Sequence, residues 1–178
     1  MVAYAMHLLR TQGAWDVRVH PDGEHGKQFD FADWLLLCEF TKVSSLGSTT
    51  YGGVYRNLAG QTVTVHPKSG LGDVVAKLDD YHIAVECKGG IINTRRPGQV
   101  SRLYRGLCET VGMLMATPSQ RRQVAVVPLT EGILRLAGRL APHCALAGIE
   151  IALVGSRGEV MDVKPAGKAK PAAERNEQ

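Results

Sequence analysis

No apolar run in this 178-residue sequence approaches the roughly 18 residues that would suggest a membrane span. The N-terminus lacks the charged start, uninterrupted apolar centre and small-residue cleavage site of a secretory signal. Cysteine is sparse: Cys38, Cys87, Cys108 and Cys144 are irregularly spaced and form no CxxC pair, which argues against a zinc site and against a dense disulfide framework. Three of the four fall in apolar stretches, as buried free thiols do in a reducing compartment, so a cytoplasmic protein is expected. The six histidines show no HxxxH-type spacing, and none is assigned a role. Ser44 to Gly53 is small and glycine-containing but lacks the Gly-Lys-Ser/Thr ending of a P-loop, so it reads as a flexible connection. Neither a nucleophile elbow nor a Cys/His arrangement is present to support a covalent hydrolase, and no internal repeat is found.

What is there suits one domain with a sizeable core. The hydrophobic fraction is 44%, ordinary for a globular chain. The formal charge is +4. About half of that excess lies in the tail, where Lys164, Lys168, Lys170 and Arg175 outnumber Glu174 and Glu177; this segment has no apolar periodicity and is expected to be disordered. Helices are expected over residues 2–12, over residues 31–42 with Asp30 as cap, over 98–117, and from Glu131 to about Leu140 with Thr130 as cap. In the first, Ala3, Met6 or His7, and Leu9 would face inward. In the third, Val100, Leu103, Tyr104, Leu107, Val111 and Leu114 form one stripe, with Gln99, Arg102, Arg105 and Glu109 away from it. Strands are expected over 15–20, 61–66, 121–129, 149–154 and 159–163. Pro21-Asp22-Gly23 reads as a turn. The order of elements indicates one mixed sheet with helices on its faces.

The most informative segment is Gly72 to Lys88, two short strands around a turn. If Asp79-Asp80 is a two-residue hairpin loop, Leu78 pairs with Tyr81 and the same register sets Asp73 opposite Glu86. Asp73, Val75, Lys77, His82, Ala84, Glu86 and Lys88 then share one face. Val74, Ala76, Leu78, Tyr81, Ile83, Val85 and Cys87 share the other, which belongs against a core. A solvated sheet face carries acids and lysines too, but it would more naturally set Lys against Glu than Asp against Glu. Two opposed carboxylates with an amine alongside form a candidate divalent-cation site.

Asp73, a gap of twelve residues, and Glu86-Cys87-Lys88 between apolar strand residues resemble the PD-(D/E)xK nuclease superfamily, with archaeal Holliday-junction resolvases and Mrr-type restriction enzymes as the nearest look-alikes. The likeness covers approximately Thr62 to Leu129 and departs from the family in having Gly72 where proline is common. It implies an α/β fold with a restriction-endonuclease-like mixed β-sheet core flanked by helices, in the order αβββαβ. The expected organisation is an N-terminal helical extension over residues 1–60, a nuclease core over 61–163 and a disordered basic tail over 164–178.

The resemblance further implies a metal-dependent DNA endonuclease that leaves a 5′-phosphate and a 3′-hydroxyl. Asp73, Glu86 and the Cys87 backbone carbonyl would hold Mg²⁺, for which Mn²⁺ could substitute. Lys88 would orient or help deprotonate the attacking water. Gln99 matches a glutamine that often follows the motif, and Glu39 could supply an acid from an earlier helix. Arg95, Arg96, Arg102 and Arg105 are candidate DNA phosphate contacts, whereas Arg121-Arg122 reads as an ordinary loop pair. A homodimer, or a subunit of a nucleic-acid-processing complex, is expected, since cutting two strands takes two sites. The alternative is a catalytically silent nuclease-fold subunit that binds DNA or acts as a scaffold.

Overall fold

The computed structural model describes residues 1–21, 29–66, 68, 72–78, 81–92, 96–117 and 122–165. Among these, one mixed sheet of nine strands is flanked by helices. Helix α1 (Val2–Thr11) leads into β1 (Asp16–Val19); α2 (Phe31–Leu37) is followed by β2 (Thr41–Ser45), β3 (Gly53–Arg56) and β4 (Thr62–Val65). The motif hairpin is β5 (Val74–Lys77) and β6 (His82–Cys87). Then come α3 (Pro97–Ala116), β7 (Arg122–Pro128), α4 (Glu131–Leu146), β8 (Ile149–Val154) and β9 (Val160–Val163). Across the sheet the strands run β2-β3-β4-β1-β5-β6-β7-β8-β9. β1 pairs parallel with β4, and β6, β7 and β8 are mutually parallel; the other pairings are antiparallel. No helix among the described residues is long and apolar enough to cross a membrane.

Alternation along the strands divides the core between the two faces. Val74, Ala76, Ile83, Val85, Val124 and Val126 pack with Tyr4, Leu8, Phe31 and Leu35 of α1 and α2. Ala125, Val127, Ile149, Ile151 and Leu153 pack with Leu103, Leu107 and Leu114 of α3 and Ile133 and Ala137 of α4. α1 buries Met6 and Leu9 as expected and Tyr4, Ala5 and Leu8 besides, whereas Ala3 is only half-buried. The α3 stripe holds at Leu103, Leu107, Val111 and Leu114, but Tyr104 is partly exposed and lies against Gly132 at the start of α4. Gln123 of β7 is buried and donates through Nε2 to the Leu114 carbonyl at 3.0 Å. The same carbonyl accepts the Thr117 amide at 3.2 Å, so Gln123 ties β7 to the C-terminal end of α3, where helix carbonyls lack the usual i+4 amide.

Several boundaries differ from expectation. Asp30 caps α2 by accepting the Asp33 amide at 3.0 Å, but the helix stops at Leu37 rather than near Lys42. Glu39 takes a positive φ of 69°, which turns the chain so that Phe40 enters the core. Thr41 onward is then strand, and the stretch expected to be a flexible connection instead supplies parts of the β2–β3 edge hairpin. Thr130 caps α4 by accepting the Ile133 amide at 3.2 Å, and this helix continues past Leu140 through Pro142. Proline inside a helix costs about 3 kcal/mol, but Ala141 and Cys144 continue the buried row begun by Ile133 and Ala137.

The proposed division at residue 60 has no counterpart in the sheet. Residues 1–60 are not a helical extension, because β1 lies between β4 and β5 and pairs with both. The 21–23 turn beyond Pro21, the hairpin tip 79–80 and the tail from residue 166 lie outside the described residues.

Candidate functional site

The hairpin has the register its sequence predicts. Val74 pairs with Val85, Val75 with Ala84, Ala76 with Ile83 and Lys77 with His82, and the Leu78 amide donates to the Tyr81 carbonyl at 2.9 Å. The Val74–Val85 pair is the last rung of this ladder, and one step further brings Asp73 and Glu86 together. Past that rung the Asp73 carboxylate takes over from the backbone: its Oδ2 accepts the Cys87 amide at 2.8 Å. The Asp73 carbonyl meanwhile accepts the His20 amide beyond the end of β1, at 2.8 Å. Asp73 therefore ties three strand ends together.

Gly72 makes this geometry possible. Its φ is 149°, and a Cβ there would stand 2.9 Å from the Val85 carbonyl oxygen and 3.5 Å from Glu86 Oε1. Proline, fixed near φ −65°, cannot adopt that conformation. Gly72 is thus not an equivalent of the family's proline, which could not enter β5 along this path.

The polar face of the hairpin is partly covered. The β6–α3–β7 crossover joins two parallel strands and packs α3 against β6, and Ala84 is 1% and Glu86 7% exposed. Burial first, and then the neighbouring Asp73 carboxylate, push the Glu86 carboxyl above its ordinary value, while the Lys88 ammonium pulls it back. Asp73, Glu86 and Lys88 are therefore within electrostatic reach of one another. Burial drives the Cys87 thiol up to about 11; a hard cation such as Mg²⁺ prefers oxygen donors, so the backbone carbonyl is the part of Cys87 that suits it.

Lys88 lies at the head of a cleft of about 540 Å³ that is also lined by Gln99, Arg102, Arg105 and Glu109 of α3. Its amide donates to the Val126 carbonyl at 3.0 Å, and its Nζ lies 3.5 Å from Glu109 Oε2. Gly106 allows this approach, since a Cβ there would sit 3.2 Å from Lys88 Cβ. Residues 99, 102, 106 and 109 follow one helix face at i+3, i+4 spacing. The sequence placed Glu109 on that polar face without a role, because nothing local shows which residue of a distant strand reaches it.

Other sequence-predicted residues fall elsewhere. Arg96 is the exposed N-cap of α3, and Arg95 lies outside the described residues. Glu39 is not brought to the cluster. It is exposed in the turn after α2 and sits by Cys38, whose thiol accompanies Arg10 near the C-terminal end of α1. Met1 at the other end of α1 lines a small hollow with Cys87 and Lys88, and the ten-residue helix between spans about 15 Å. The expected helix carrying Glu39 toward a metal ends too early and at the opposite end of the sheet. Arg122 belongs to β7 rather than a loop, and its Nε and Nη2 donate to the two carboxylate oxygens of Glu150 at 2.7 and 2.8 Å. Arg121 lies outside the described residues.

Histidines gather where spacing gave no hint. His20 and His66 extend the paired strands β1 and β4, their ring centroids 5.5 Å apart, and the His20 ring contacts the Lys68 carbonyl through Nδ1 at 2.7 Å. Among the described residues no group of three or more His, Cys, Asp or Glu side chains is placed to hold a metal ion. The protein donors available near Glu86 are therefore two carboxylates and a backbone carbonyl. Such a set is too sparse for a closed structural zinc site and suits Mg²⁺, which keeps several waters. No family model, curated protein or solved structure matches the chain.

Proposed function

We propose that this chain is a divalent-metal-dependent endodeoxyribonuclease of the PD-(D/E)xK kind, acting in the cytoplasm. The observation that carries the reading is the β5–β6 register, which runs Asp73 and Glu86 together at one end of the hairpin, with the Asp73 carboxylate reaching the Cys87 amide at 2.8 Å and Lys88 following directly. Two further observations support it. Following α1, β1, β5, β6, α3 and β7 through their pairings traces an αβββαβ order with α2 and β2 to β4 inserted, its first strand being β1 rather than the expected residues 61–66. A cleft carrying Lys88, Arg102 and Arg105 begins two residues beyond Glu86 along the chain and offers positive charge to a phosphate backbone.

Asp73, Glu86 and the Cys87 carbonyl would hold Mg²⁺ or Mn²⁺. The bound ion would supply Lewis-acid polarisation of the phosphate and a more acidic water. The chain's own groups do the rest. Glu86, buried beside a second carboxylate, has a charge that a cation relieves. Lys88 presents its amine where it can orient an attacking water and offset charge developing on the phosphate. Gln99 hydrogen-bonds water or a non-bridging oxygen from the same cleft. Arg102 and Arg105 contact neighbouring phosphates and position the strand without reading its sequence. A homodimer would present two such sites for double-strand cutting.

A catalytically silent DNA-binding or scaffold subunit is the second reading. The engagement of Lys88 by Glu109 and of the Asp73 carboxylate by Cys87 favours it, because both groups already have protein partners. Incubating the purified protein with supercoiled plasmid, linear duplex and a four-way junction, in Mg²⁺, Mn²⁺ or EDTA, tests the two. Metal-dependent nicking lost in Lys88→Ala supports the nuclease, and preference among the substrates assigns its subclass. DNA binding without cleavage in either metal supports the scaffold and overturns the nuclease.

A further inference from the structure

We infer that Glu109 is a positioning residue for Lys88, holding the amine between α3 and the acidic pair; the inference rests on the nuclease reading. Three independent contacts converge on Lys88. Its backbone is fixed by the Val126 carbonyl at 3.0 Å. Its stem passes Gly106, where an added Cβ would stand 3.2 Å from Lys88 Cβ. Its Nζ ends 3.5 Å from Glu109 Oε2. Only the last contact fixes the reactive end.

The charge balance of the cleft gives the contact its purpose. Apart from Glu109, the charged side chains lining it are Lys88, Arg102 and Arg105, all cationic. Without Glu109 the ammonium would be repelled by the arginines and free to follow an incoming phosphate into the cleft, away from Glu86. With it, the amine has an anionic partner on the α3 side to set against Glu86 on the β6 side. The pair is half-exposed, at 44% and 57%, so it adds little to stability. That makes it removable without unfolding the protein.

The test uses the full chain. The Lys88 ¹³Cε resonance, identified by its loss in Lys88→Arg, should show a higher order parameter than that of exposed Lys77, and this should fall to the Lys77 level in Glu109→Gln. In plasmid nicking with saturating Mg²⁺, Glu109→Gln should lower kcat on the order of 10-fold to 100-fold, as loss of an outer-shell or orienting group does. Glu109→Asp should restore most of the loss. DNA affinity in Ca²⁺ should not fall, since the substitution removes a negative charge from the cleft. Gly106→Ala should reproduce the kcat loss with Glu109 intact.

Wild-type turnover in Glu109→Gln would overturn the inference, as would a loss that appears in KM or is not recovered by aspartate. A cleaving wild-type protein whose Lys88 is as mobile as Lys77 removes this inference alone. A wild-type protein with an ordered Lys88 and no metal-dependent cleavage removes the nuclease reading, and the role of Glu109 in turnover with it.

Discussion

The Asp73 carboxylate completes the β5–β6 ladder by accepting the Cys87 amide at 2.8 Å, so one side chain serves both the fold and the proposed chemistry. The two duties separate by substitution. Asp73→Asn keeps an oxygen for the amide and removes the charge, so it should fold like the wild type and lose metal-dependent cleavage. Asp73→Ala leaves the amide without that acceptor, and an unsatisfied buried donor costs about 1–3 kcal/mol. Urea denaturation of both variants beside a nicking assay checks this. Equal stability of the two would deny Asp73 its structural part.

Gly72 carries a different prediction, because the family likeness invites proline there. With φ at 149° and the Val85 carbonyl 2.9 Å from a would-be Cβ, Gly72→Pro should destabilise rather than perfect the motif. Backbone conformations of this kind cost about 1–3 kcal/mol for residues other than glycine. A drop in the urea midpoint is expected, with DNA cleavage falling alongside as Asp73 loses its alignment. An unchanged midpoint would mean that the chain enters β5 by some other path.

What the sequence revealed and what it hid follow from the range of the interactions involved. The β5–β6 register was legible because the turn and the alternation of Val74, Ala76, Ile83 and Val85 are local and point one way. The caps at Asp30 and Thr130 were legible for the same reason. The β2–β3 hairpin was hidden because every residue of β2 is exposed, which leaves no apolar alternation to read. The early end of α2 depends on a positive φ at Glu39, a residue type that gives no warning of it. Burial of Glu86 could not be read from its strand, since the covering helix follows later in the chain. The Lys88–Glu109 contact and the His20–His66 pair join residues 21 and 46 positions apart, beyond any local pattern.

The arginines should separate by role. Arg122 is bound to Glu150 through two hydrogen bonds and to Gln12 by a third at 3.0 Å, whereas Arg102 and Arg105 are exposed along the cleft. Arg102→Ala and Arg105→Ala should each reduce the slope of log affinity against log salt by about 0.9 for duplex DNA, the change expected for one phosphate contact, with stability unaltered. Arg122→Ala should leave that slope alone and cost about 1.5–3 kcal/mol, the scale of charge-assisted hydrogen bonds. Salt titrations of DNA binding and denaturation curves measure the two effects, and a reversal of the pattern would relocate the DNA surface to the sheet end near β7.

Glu86 links the site to pH. Burial and the Asp73 carboxylate raise its folded value above that of the unfolded chain, so between the two the folded state binds more protons. The Glu86 contribution to the stability of the metal-free protein should therefore be fully present below the ordinary glutamate range and be lost as pH rises through the raised value. Glu86→Gln removes this fall, so the variant should be the more stable protein at neutral pH without metal. Magnesium should reverse the order, because under the proposed function it binds the ionised pair. A 100-fold excess over Kd adds about 2.7 kcal/mol to the wild type and nothing comparable to Glu86→Gln. Urea midpoints across pH, with EDTA or Mg²⁺, test both halves. Parallel pH curves for the two proteins would show that Glu86 does not bear the buried charge on which a cation at this site depends.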